Sequence, residues 1–66
     1  MNETEKELAS LLKKYDADFC YRKNPFTWCL IGHDSNGNIW ETDDYEAKNI
    51  EQATKDAIDY LVAYNE

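Results

Sequence analysis

Apolar residues recur along this chain in different rhythms, and each rhythm predicts an element. Over residues 3–15, Leu8, Leu11, Leu12 and Tyr15 keep the i, i+3, i+4, i+7 spacing of a helical stripe. Glu3, Glu5 and Glu7 crowd its start, and Lys13 and Lys14 close its end, the order that complements a helix dipole. The stripe is narrow, so this helix must pack on something to persist. Over residues 17–23 the period drops to two. Phe19 and Tyr21 alternate with Asp18, Cys20 and Arg22, which predicts a strand. Asn24-Pro25 ends it, because proline has no N–H for a ladder and a fixed φ. Residues 26–32 read as a second strand, apolar on both faces: Phe26, Trp28 and Leu30 on one, Thr27, Cys29 and Ile31 on the other. Asn36-Gly37 then predicts a hairpin turn, since both positions tolerate positive φ. Residues 39–42 make a short third strand, with Ile39 and Trp40 pointing opposite ways, and Asp43, Asp44 and Glu46 fall in a loop.

The last helix has the widest stripe, with Ile50, Ala53, Ala57, Ile58 and Leu61 buried and Val62 or Tyr64 extending the face. Asn49 is the expected N-cap, and Gln52 three residues on completes a capping-box pattern; a start nearer Asp44 is the alternative. The predicted architecture is α+β in the order αβββα: a three-stranded antiparallel sheet with two helices packed on one face. Sixty-six residues suffice for a single compact domain, 1–66. A chain this short buries only about 60% of its unfolded surface. Two Trp, five Tyr and two Phe offset that, each removing roughly 150–250 Å² from water when buried. Two helices cover only one sheet face, so the other is expected to leave apolar groups open to a partner or a second copy.

Charge adds a direction. The first half, through His33, balances five acids against five bases, while from Asp34 onward nine acids face only Lys48 and Lys55. The net charge of −7 therefore sits in the second half. Such a field repels polyanions and attracts basic surfaces. Glu41, Asp43, Asp44, Glu46, Glu51, Asp56 and Asp59 could present a row of negative charge, with Asp56 and Asp59 on one helix face. The N-terminus is charged and has no apolar segment of signal-peptide type, and no apolar run approaches the ~20 residues of a membrane span. The expected location is the cytoplasm of the producing or an infected host cell, with Cys20 and Cys29 as reduced thiols.

Other chemistries find little support. Asp34, Asn36 and Asn38 open like a calcium loop, but Ile39 stands where glycine is needed and Tyr45 where the bidentate acid is needed. Two cysteines and one histidine do not make a zinc site. No metal and no cofactor is expected. His33, the single histidine, reads as a turn residue, so no catalytic group is assigned and an enzyme is not expected. If the hairpin centred tightly on Asn24-Pro25, paired residue numbers would sum to 49 and Cys20 would face Cys29; proline there argues for a different register.

The αβββα order, with Glu46-Ala47-Lys48-Asn49 leading into an alanine-containing helix, resembles the double-stranded-RNA-binding domain. That resemblance implies a phosphate-gripping lysine cluster at the start of the last helix. Here the matching stretch is Asp43, Asp44, Tyr45, Glu46, Ala47 and Lys48, so direct nucleic-acid binding is not expected. In size and charge the chain is similar to small acidic anti-restriction and anti-CRISPR inhibitors of phage and mobile elements, which implies mimicry of DNA. The expected function is that of an inhibitor or adaptor engaging a protein with a basic surface. Glu41, Asp43, Asp44 and Glu46 would supply charge, and Trp28, Trp40 and Tyr45 apolar anchors. The alternative is a homodimer joined through the open sheet face, with a small ligand at its seam or a structural role.

Overall fold

In the computed structural model, which describes residues 2–65, helix α1 (Glu3–Lys14) starts at Asn2, whose side-chain oxygen accepts from the Glu5 N–H at 2.8 Å. It ends at Tyr15, and Asp16 turns the chain with a φ of 51°. Strand β1 (Ala17–Arg22) pairs antiparallel with β2 (Thr27–His33), and every pair sums to 49, from Ala17 opposite Gly32 to Arg22 opposite Thr27. Cys20 thus faces Cys29. The connection is the four-residue loop 23–26, with a cis Asn24-Pro25 peptide and Asn24 at a φ of 63°. Proline excludes a two-residue turn, yet two added residues leave the register unchanged.

The next hairpin joins β2 to β3 (Ile39–Glu41) through the five residues 34–38 rather than a two-residue turn. Asp34 and Asn38 still pair, and Gly37 at a φ of 81° closes the loop between them. Only Gly37 there takes positive φ, so Asn36 does not form the mirror-image turn that Asn-Gly suggests. The Asp34 carboxylate accepts from the Asn36 and Asn38 N–H groups, both at 2.9 Å, so it builds the turn.

Beyond β3 the chain stays on the same edge of β2. A two-residue strand, β4 (Tyr45–Glu46), pairs with Trp28 and Thr27, where the sequence had suggested only a loop. Pairs of β2 with β3 sum to 72 and pairs with β4 sum to 73, so the edge strand gains one residue between them. That extra residue is a β-bulge within residues 42–44. Thr42 fastens it: its N–H donates to the Leu30 carbonyl at 2.9 Å, and its hydroxyl accepts from the Leu30 N–H at 3.0 Å. The bulge inverts the alternation, so Trp40 and Tyr45, an odd number apart, both face the helices.

Helix α2 (Ile50–Asn65) is capped by Asn49, whose side chain accepts from the Gln52 N–H at 2.9 Å, while Gln52 accepts from the Lys48 N–H. Both helices pack on one face of the sheet. The core is Leu8 of α1, Trp28 and Leu30 of β2, and Ala53, Ala57, Ile58 and Leu61 of α2. Gly32 belongs to the same face because Trp40 lies across it: a Cβ at Gly32 would stand 2.5 Å from the indole. Ile50 and Val62 are about two-fifths exposed and Tyr64 is 74% exposed, so the buried face of α2 is narrower than its apolar pattern suggested. No helix among the described residues is long and apolar enough to cross a membrane.

Candidate functional site

Trp28 was expected on the surface as a partner anchor, and the structure corrects this. Its side chain is 4% exposed, because the apolar set that turns to the helices is the one containing Trp28, Leu30 and Gly32. Its indole N–H is buried and finds no acceptor among the described residues. Trp28 instead begins a run of rings that leads outward. Tyr45 lies 5.1 Å from it, Tyr60 6.4 Å from Tyr45, and Tyr64 4.5 Å from Tyr60, measured between centroids.

These tyrosines floor a shallow groove between β4 and α2. Glu46, Asp56 and Asp59 line it with Ala63, and no base does. Asp56, Tyr60 and Tyr64 follow one another at four-residue intervals, so one helical face supplies acid and ring together. The Tyr60 phenol is pushed above its usual range, first by burial and then by Tyr45, Tyr64 and the charge of Asp43. Trp40, half-buried, lines an adjoining depression with Glu41, Tyr60 and Tyr64, where Lys14 and His33 also stand.

The remaining acids of the predicted row are scattered. Asp44 and Glu41 act on Cys29, whose thiol is raised by burial first, then by Cys20 and by those two charges. At the bulge, Asp44 lines a depression with Cys20 and Cys29 on the open face. Glu51 sits beside the start of α1 with Glu5 and Lys55. Of the seven residues proposed as a site, Tyr45 floors the groove, Glu46 edges it from β4 while its register faces the open side, Trp40 and Glu41 adjoin it, Asp43 and Asp44 sit at the bulge and Trp28 is core. Sequence reasoning missed Tyr60 as a site residue, although the four-residue interval from Asp56 was there to read.

The open sheet face carries no large aromatic. By register it presents Asp18, Cys20 and Arg22 from β1, Thr27, Cys29, Ile31 and His33 from β2, Ile39 and Glu41 from β3, and Glu46 from β4. Ile39, 71% exposed, is its one bare aliphatic group. Both tryptophans face the helices, so the sheet-face dimer loses the aromatic anchors that suggested it. His33 Nδ1 lies 3.6 Å from an Asp16 carboxylate oxygen, both exposed at the sheet's end. No three His, Cys, Asp or Glu side chains gather into a metal-ligating set among the described residues. No protein family, no curated protein and no solved structure matches this chain.

Proposed function

We propose that this chain is a non-enzymatic binding protein, an inhibitor or adaptor that engages a basic protein surface through the groove between β4 and α2. One observation carries the reading. Tyr45, Tyr60 and Tyr64 floor a groove whose charged lining residues, Glu46, Asp56 and Asp59, are all acids. Ring faces attract guanidinium and ammonium groups within about 6 Å. A rim of carboxylates steers basic partners in and fixes their register. Tyrosine also supplies rigid contact area at small entropic cost, which suits a hot spot. Competition with nucleic acid for a basic protein, as in anti-restriction and anti-CRISPR inhibitors, is the specific form of this reading.

The test is a titration of the labelled protein with an arginine-rich peptide, followed by NMR at several salt concentrations. Shifts should concentrate on Tyr45, Tyr60, Ala63 and Tyr64 and weaken steeply as salt rises. The combined Asp56→Asn and Asp59→Asn variant should bind about fivefold more weakly, two screened contacts of roughly 0.5 kcal/mol each being enough for that. Shifts spread evenly over the surface, or indifference to salt, would sink the proposal.

A further inference from the structure

The β1–β2 ladder sets Cys20 directly opposite Cys29, both as free thiols on the face that no helix covers. Leu30 turns its N–H and carbonyl toward Thr42, so its neighbours Cys29 and Ile31 turn theirs toward β1. Cys20 and Cys29 therefore form a hydrogen-bonded pair, a type whose Cα atoms stand about 5.5 Å apart. A disulfide spans roughly 4.4–6.8 Å between Cα atoms and roughly 3.5–4.5 Å between Cβ atoms, so closure draws the two Cβ atoms together by about 1 Å from their spacing in such a pair. The two thiols are not equivalent. Cys20 is exposed, and Arg22 stands two residues along β1 on the same face. Cys29 is half-buried, with Asp44 and Glu41 beside it.

We propose that Cys20 and Cys29 are a dithiol–disulfide site for low-molecular-weight disulfides such as glutathione disulfide, with Cys20 the attacking thiol and Cys29 the resolving one. The thiolate of Cys20 attacks one sulfur of glutathione disulfide. That S–S bond breaks, one glutathione leaves as its thiolate, and the other stays joined to Cys20. Cys29 then gives up its proton and attacks the Cys20 sulfur. The strand-to-strand disulfide forms, and the second glutathione leaves and takes a proton. Two protein thiols are oxidised and one glutathione disulfide is reduced to two thiols, so atoms and electrons balance. The order follows from the surroundings. Exposure makes Cys20 the sulfur a reagent reaches first and Arg22 on the same face welcomes an anionic one, while burial and two carboxylates hold Cys29 back as a thiol until a sulfur is delivered to it.

Intact-mass spectrometry after treatment with glutathione disulfide at mildly alkaline pH tests this. The wild-type chain should lose two hydrogens and retain no glutathione. Cys29→Ser should trap one glutathione on Cys20, and Cys20→Ser should acquire its adduct several-fold more slowly. A wild-type chain that keeps one or two glutathiones without closing overturns the site. Equal reaction rates of the two variants overturn the division of roles. The wild-type measurement requires no substitution, so the outcome does not depend on how either variant folds.

Discussion

Two residues carry more of this fold than their size suggests. Gly32 is the place where the Trp40 indole crosses the sheet, and Ala17 presses from the β1 side, 3.1 Å from where a Cβ would stand. Gly32→Ala should displace the ring and cost about 1–3 kcal/mol, read as a lower urea midpoint. Thr42 satisfies both backbone groups of buried Leu30. Thr42→Val keeps the shape but strands the Leu30 N–H, so it should cost about 1–3 kcal/mol, whereas Thr42→Ser should stay near wild type. Equal stability for the valine and serine variants would show that the hydroxyl is idle.

Among the elements, the bulge and the two hairpins show what was legible in the sequence. The Asn49 cap was readable because a cap is local: three residues suffice to define it. Symmetry about Asn24-Pro25 offered the Cys20–Cys29 register but the proline argued against it, and the four-residue loop is what keeps it. The bulge was not readable, because Thr42, Asp43 and Asp44 look like any polar loop and their pairing depends on Leu30, twelve residues away. Nor could period two choose the buried side of β2, which is apolar on both. Gly32 chooses it, since only that face lets Trp40 lie flat. Deleting Asp43 removes the extra residue and would send Tyr45 to the open face and Glu46 toward the core. The chain should then give up β4, with red-shifted Trp28 emission and faster exchange of the Ala47 amide, which bonds the Phe26 carbonyl at 3.1 Å. Asp43→Asn should leave both unchanged.

Across the whole molecule, pH offers the clearest readout. Cys29 and Tyr60 both titrate above their ordinary values in the folded chain, chiefly through burial. The unfolded chain therefore sheds these protons first, and the stability they contribute is present at neutral pH and lost as pH rises. Under reducing conditions, denaturant midpoints should hold through neutrality, fall once pH passes about 9 as Cys29 responds, and fall further above about 10 with Tyr60. Cys29→Ser should remove the first decline and Tyr60→Phe the second. A flat profile to pH 11 in the wild type would contradict both environments.

The bulge at residues 42–44 has a consequence for how copies of this chain meet in concentrated solution. A sheet edge with an unbroken row of free backbone groups invites a foreign strand, and repetition of that step builds fibrils. One edge here is interrupted, leaving runs of only three and two residues, too short to template another chain. The opposite edge, the six residues of β1, has no such break and is guarded only by the charges of Asp18 and Arg22. Conditions or substitutions that neutralise those two charges should let aggregation begin at β1, and thioflavin fluorescence after Asp18→Asn with Arg22→Gln would reveal it.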